Sequence, residues 1–520
     1  MDNNKSKDDL SLVIGVGLLF GVMVVYKVGN WIWFEVILKL NIWTQAFIIS
    51  LIGTSIVYLS YKALKKTLEL NKKRNAIFGP SVGATYCGKT NKGQPVFIKP
   101  KQRTMHTQVI GTTNAGKTES VILPWAIQDM KEGRGLVLID GKADSSMLNK
   151  LWAYANKLGR ENDFRLFSLG NIDESHQFNP LIGGTPEEIS ERVFNSFEFE
   201  NSYYRSLQFE VFSQAMRIFS EYGDQPTFLK LHQAITDKYA LAAMAAESKD
   251  LSLRNWAEFY RDLPSNERSQ RISGLTAALS HFSFGKTACL FNIESAGITL
   301  EHALENNLIV YFQLPVLLSP FLGKATGKMV LQALQSAIAN RHRGRSENLK
   351  FFSVFLDDFS EYLYPGFVSV LNKSRSANVG IVFAHQALGD IQTLGDPIAN
   401  SILTNANIKV FMRGNDPVSA EYFSKVIGTA KTTKYTERKK EVLWSKASTG
   451  DTSAREVEEF IIHPNRFKRE LGVGEAIMIV PHEMGSEAIN IKFDIFPDLK
   501  APPLNPIPKQ VSGHLKFLNF

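Results

Sequence analysis

Apolar residues fall into three different patterns along this chain, and each predicts a different kind of element. Near the start, Ser11 to Tyr26 carries no charge, and with Lys27 snorkelling the apolar stretch runs on to Phe34. A second uncharged run, Ile42 to Tyr61, follows. Each is long enough to cross a bilayer as a helix. Further on, short continuous apolar runs recur at Gly135–Asp140, Phe164–Leu169, Leu308–Leu314, Phe351–Leu356, Val379–Ala384, Ile408–Met412, Ala476–Val480 and Ile489–Phe493. Such runs predict strands buried on both faces of a parallel sheet, with smaller strands such as Pro95–Ile98 leading in. From Thr185 to Ala296 the strand-like runs stop and helical periodicity takes over, as in Tyr204–Phe219 and Leu229–Ala246. The whole predicts an α/β fold whose sheet is interrupted by an all-helical insertion of roughly 110 residues. Thr429 to Glu456, polar and with little periodicity, predicts a mobile loop or a poorly ordered hairpin, and the proline-rich stretch after Pro497 an extended tail or linker. The expected divisions are 1–74, 75–184, 185–298, 299–497 and 498–520.

The two N-terminal runs predict a transmembrane hairpin with a short turn containing Glu35, Lys39 and Asn41. Trp31, Trp33 and Trp43 surround that turn as an interfacial belt, whereas Lys62, Lys65, Lys66, Lys72, Lys73 and Arg74 follow the second run. By the positive-inside rule both ends of the hairpin, and everything after it, face the cytoplasm. Asp8 and Asp9 stand where a signal peptide would need basic residues.

Composition narrows the classes further. The 44% hydrophobic and 21% charged content is that of a folded protein, and two cysteines exclude a disulfide scaffold or cysteine-rich zinc site. A net charge of +8 favours nucleic acid, phospholipid or nucleotide as partner, and equally suits a moderately basic membrane protein. Basic clusters at Lys431–Lys440 with Tyr435, at Arg466–Arg469 with Phe467 and at Arg341–Arg345 read either as nucleic-acid contacts or as solvated faces.

Chemistry concentrates at Gly111-Thr112-Thr113-Asn114-Ala115-Gly116-Lys117-Thr118, set between an apolar run and a helical pattern. This is a phosphate-cradling P-loop. Its glycines let successive N–H groups turn toward phosphate oxygens, Lys117 supplies charge to the β and γ phosphates, and Thr118 a hydroxyl to Mg²⁺. ATP and Mg²⁺ are the cofactors expected. The site also needs a carboxylate at the end of a buried strand. Asp140 competes with the pair Asp357 and Asp358, and the pair is preferred because it supplies a metal ligand and a water-activating group side by side. Gln386, or His385 before it, ends another strand where γ-phosphate would be sensed, and Arg375 is the candidate for a guanidinium supplied across a subunit interface. Arg103 and Arg413 are weaker candidates for that work. Gly285-Lys286-Thr287 and Gly327-Lys328 lack a preceding strand, and His482-Glu483 lacks the second histidine of a metalloprotease.

The motifs V-I-G-T-T-N-A-G-K-T-E-S, L-V-L-I-D-G-K-A-D, Q-F-N-P-L, L-I-V-Y-F-Q-L-P, V-F-L-D-D-F and V-G-I-V-F-A-H-Q-A-L-G-D-I occur in an order that resembles the TraG/TraD-like type IV secretion coupling proteins, with a leaning toward the Dot/Icm branch. The resemblance implies a RecA-like hexameric ATPase in the bacterial inner membrane, moving DNA–relaxase or protein cargo to a secretion channel. It implies the same roles for Lys117, Thr118, Asp357, Gln386 and Arg375, and a helical insertion facing substrate. Asn114 stands where a third glycine is common, and Asp358 where glutamate is usual. A DNA pump of the FtsK kind and a nucleotide-binding cargo receptor with little hydrolysis are the alternatives.

Overall fold

The computed structural model describes residues 27, 41–199, 201–295, 297–343, 349–442, 445–483, 485–510, 513 and 515. It divides into two compact units, residues 1–77 and 78–520. Apart from Lys27, the first expected membrane span lies outside the described residues, so the expected two-helix hairpin is represented only by its second member. That member is the helix Ile42–Phe78, of which Ile42–Lys66 is long and apolar enough to cross a membrane. Asn41 begins it by accepting the Trp43 N–H at 2.9 Å. The helix outruns the predicted apolar stretch because no proline or glycine interrupts it between Gly53 and Gly79-Pro80.

The second unit is built on an 11-stranded sheet. Its strands are β1 Thr85–Thr90, β2 Pro95–Ile98, β3 Thr107–Ile110, β4 Leu136–Asp140, β5 Phe164–Ser168, β6 Ile309–Gln313, β7 Phe352–Asp357, β8 Val379–His385, β9 Ile408–Phe411, β12 Glu475–His482 and β13 Gly485–Phe493, while β10 Thr429–Val442 and β11 Ser445–Phe460 form a separate hairpin. The spatial order is β2-β1-β13-β12-β9-β3-β8-β7-β4-β6-β5. From β9 to β5 all pairings are parallel. The expectation of a parallel sheet fails at the other end, where β12, β13, β1 and β2 pair antiparallel. For β12 and β13 the reason is connection length: they meet through a tight turn, which only an antiparallel pair accepts. The segment from Thr429 is the hairpin of the two alternatives.

Between β5 and β6 the described residues form helices and no strand. Predicted Leu229–Ala246 is two helices, Phe228–Thr236 and Ala240–Ala245, because Asp237 leaves helical geometry between them. Their starts follow local chemistry: Thr185 and Glu188 form a capping box, and Asn201, Thr227 and Asp250 each accept from the first turn of the helix they precede. Aromatic rings join this block to the sheet edge. Phe291 packs on Phe228 and Phe282 of the block and on Phe167 of β5, at centroid separations of 6.1, 4.9 and 5.4 Å. The resulting core is continuous.

At the N-terminal ends of the parallel strands lies a buried ion cluster. Arg103, 1% exposed, grips Asp129 with both guanidinium nitrogens at 2.7 and 2.8 Å and lies over the Phe351 ring. Asp129 also accepts from Arg134 at 2.9 Å and from the Ser353 hydroxyl of β7 at 2.6 Å. Arg103 is thereby committed to the core and excluded from work on a neighbouring subunit. Removing the carboxylate leaves two guanidinium groups short of a partner, so Asp129→Ala is expected to lower the unfolding free energy by about 3–5 kcal/mol. Urea unfolding checks this, and a loss under about 1 kcal/mol would mean that the cluster is not a dry one.

Candidate nucleotide-binding site

The site begins where β3 stops. After Ile110 the chain turns through a loop in which Asn114 (φ 62°) and Gly116 (φ 98°) adopt left-handed geometry. The unusual asparagine thus occupies a conformation that asparagine tolerates better than most residues. Gly111 is held by crowding, since a Cβ there would come within 2.9 Å of the Met412 side chain. A helix follows, first as a wide π turn at Lys117–Ile122 and then as Leu123–Lys131. Its leading N–H groups have no partner within the helix and face the loop, a natural anion seat. Two distant segments brace the loop: the Thr112 N–H donates to the Arg413 carbonyl at 2.9 Å, and the Gly474 N–H to the Ala115 carbonyl at 3.0 Å. Arg413 therefore contributes its backbone, whereas the sequence drew attention to its side chain. Nothing in the sequence pointed to Gly474.

The Lys117 ammonium is buried and donates to the Gly111 and Thr112 carbonyls at 2.7 and 3.2 Å. Burial lowers its pKa, while the nearby Asp357 carboxylate opposes that shift. Thr118 donates its hydroxyl to Asp357 Oδ2 at 2.6 Å, which separates the two competing carboxylate strands. Asp357 is the one that meets the loop. Burial, reinforced by the neighbouring Asp358, pushes its carboxyl up to about 6. Asp140 serves the turn after β4 instead, accepting the Lys142 and Asp144 N–H groups and the Tyr311 hydroxyl, each at 2.8 Å. Asp358 sits in left-handed backbone geometry (φ 47°) and pairs with the Lys142 ammonium at 2.8 Å. That ion pair was not foreseen, although adjacency of β4 and β7 at Asp140↔Asp357 would have placed the two residues together.

Strand β8 lies between β3 and β7, so its end projects between the loop and the carboxylates. Gln386 is exposed there, its Oε1 accepting from the Thr113 hydroxyl at 3.4 Å. Asp390 fixes the turn by accepting the N–H groups of Gln386 and Ala387 at 2.8 and 3.0 Å. His385 is instead a buried structural residue, held between the Ala387 carbonyl at 2.8 Å and the Gln108 amide at 2.9 Å. Arg375 is exposed and follows the helix Phe367–Ser374, ahead of β8. The length of β8 places it about 20 Å from the strand ends. Its own chain's site is out of reach. Of the basic clusters, the one at Arg466–Arg469 offers no aromatic platform, because Phe467 is fully buried against Phe411 and Phe423.

These groups fit a nucleoside triphosphate with magnesium: a helix start and an ammonium for phosphates, and a hydroxyl beside a carboxylate for the metal. Comparisons with known proteins bear on what the chain resembles. The family model described as "TraM recognition site of TraD and TraG" matches residues 352–469. The chain is 22% identical over 441 residues to the type 4 coupling protein DotL of Legionella pneumophila. It is similar to type IV coupling proteins. The match takes in 71% of this chain and 55% of DotL, so the chain spans about half the length of that curated relative. Among solved structures, the unbound conjugative coupling protein TrwB superposes with a TM-score of 0.58 at 14% identity, covering 81% of this chain and 91% of that one. TrwB in complex with ADP and Mg²⁺ gives 0.57 at 15%, covering 82% and 92%. VirB4 of Thermoanaerobacter pseudethanolicus gives 0.50 at 12%, covering 80% and 98%. At these identities the structural likeness is one of fold, mixed α/β with a large parallel sheet. The resemblance carried by motif order is borne out.

Burial lowers the His385 pKa to about 4, against about 6.5 in an unfolded chain. Between those values the unfolded state binds more protons, so this residue's stability is present above pH 6.5 and is lost as pH falls toward 4. Wild type should therefore lose up to about 3 kcal/mol relative to His385→Asn across that window, read from urea midpoints. A pH-independent difference would contradict a neutral buried imidazole.

Proposed function

We propose that this protein is a membrane-tethered, RecA-like ATPase that couples cargo to a type IV secretion or conjugation channel. The observation that carries the reading is the Thr118–Asp357 hydrogen bond, which joins the loop after β3 to the carboxylate of β7 across the end of β8. In this reading the amides of Gly111, Thr112, Thr113, Asn114, Ala115 and Gly116 and the ammonium of Lys117 bind the phosphates. Thr118 and Asp357 hold Mg²⁺, which would offset charge on the phosphates. Asp358 orients a water molecule and takes its proton, and Gln386 contacts the γ-phosphate. Arg375, too far from its own site, serves that of an adjacent copy in a homo-oligomer, a hexamer by family resemblance.

The proposed divisions follow the expected ones: a hairpin and basic stretch in 1–74 that contacts inner-membrane lipid, an ATPase domain in 75–184 and 299–497, a helical domain in 185–298 and a tail in 498–520. The helical domain faces the cargo, a DNA–relaxase complex or an effector protein, and hands it to channel components. A second reading, a cargo receptor with little hydrolysis, draws support from Asp358, which is shorter than the usual glutamate and engaged by Lys142.

ATP turnover with and without DNA separates the two. A motor is expected to turn over ATP faster with DNA and to lose activity on the order of 100-fold or more in Lys117→Ala. Wild-type turnover no higher than that variant would leave the receptor reading standing. In mixed assemblies, an Arg375→Ala subunit should silence its neighbour's site by roughly 1,000-fold or more while its own site still turns over. If only the mutated subunit's own site failed, the proposed role across the interface would be wrong.

A further inference from the structure

The segment after β13 is the extended tail expected from its prolines, but it is tied down at regular intervals. Tyr154 donates its hydroxyl to the Pro497 carbonyl at 2.9 Å and meets Phe496 edge-on at 5.7 Å. Trp152 donates its indole N–H to the Pro502 carbonyl at 2.9 Å. The Ile507 N–H bonds to the Asp173 carbonyl at 2.8 Å, and the Lys509 ammonium to the Asp173 and Ser175 carbonyls at 3.0 and 2.7 Å. Gln510 and Gln177 exchange hydrogen bonds at 2.9 and 2.7 Å. Leu515, 1% exposed, sits against the helical block, its N–H donating to Gln233 of Phe228–Thr236 at 3.2 Å.

The first tie is electrostatic and lies next to the nucleotide loop. Lys150, whose side chain is 4% exposed, pairs with Glu119 at 2.7 Å and with Asp498 at 3.0 Å. Glu119 is the residue after Thr118. If the start of the loop's helix shifts, Glu119 moves, and the buried ammonium must follow or lose its better-shielded partner. Asp498 is then drawn along. At the far end, Gln177 belongs to the Q-F-N-P-L motif, for which the nucleotide site has no use. Asn179 of the same motif donates to the Pro226 and Ile293 carbonyls at 2.9 and 2.8 Å, stitching both flanks of the helical block. Prolines at 502, 503, 506 and 508 restrict the backbone between these ties, so a pull at one end is not absorbed by slack in the middle.

We infer that residues 494–510, together with Leu515, form a strap that couples the helix of the nucleotide loop to the helical block, with Lys150 as the joint and the Q-F-N-P-L motif as the far anchor. The inference rests on the nucleotide reading above for its input, and on the contacts just given for its path. It assigns to the Q-F-N-P-L motif and to the tail a part in passing nucleotide state to the domain proposed to face cargo.

Hydrogen exchange on the full-length protein, with and without a non-hydrolysable ATP analogue and Mg²⁺, tests it in wild type, Lys150→Met and Leu515→Asp, with analogue affinity measured on the same samples. In wild type the analogue should slow exchange in residues 228–236 by roughly fivefold or more. Both variants should bind the analogue and lose that effect. Retention of the effect in both variants, or its absence in wild type that binds the analogue, overturns the strap. A second arm needs no nucleotide: Leu515→Asp should speed exchange at residues 145–157, and unchanged exchange there also overturns it. A wild-type chain that binds no analogue sinks the ATPase reading instead, and the nucleotide-free arm still decides the strap.

Discussion

A threonine hydroxyl on one strand's loop reaches a carboxylate on a strand two places away, and much of the molecule is arranged so that it can. Thr118 and Asp357 meet only because β8 is inserted between β3 and β7 and all three end at the same level. The register is fixed by burial: every residue of β3, β7 and β8 is enclosed, so a slip by one residue would move buried side chains to the wrong face. The ion cluster of Arg103, Asp129, Arg134 and Ser353 pins β7 and the loop's helix at the opposite edge.

The same packing sets the electrostatics. Burial alone disfavours the charged forms of Asp357, Asp140 and Lys117. Opposite charges restrain these shifts, Lys117 through Asp357 and Asp357 in part through Lys142. Asp358 pairs with Lys142 from left-handed backbone, and Asn114, the other departure from the pattern of the resemblance, is left-handed as well. The Lys142 side chain that pairs with Asp358 is half-exposed.

The helical block is not an appendage. Its aromatic core merges with that of the sheet through Phe291, Phe178 and Phe312, and the C-terminal segment crosses from one to the other.

How much of this was legible in the sequence differs by type of feature. The sequence alone determined the loop, the buried strands and the helical block, because these follow from local rules: glycine and lysine at fixed offsets, continuous apolar runs and helical periodicity. Motif order carried the family resemblance, and asparagine chemistry anticipated the left-handed Asn114. What only the tertiary structure decided depends on partners far apart in the chain. Asp357, rather than Asp140, meets the loop because its strand lies two places from β3. His385 is buried at the end of β8 and Gln386 exposed just beyond it, Arg103 went to the core because Asp129 awaited it, and Arg375 precedes the start of β8, opposite the end that meets the loop. Strand order, side-chain exposure and the pairing of buried charges are properties of the packed chain, and no local pattern encodes them.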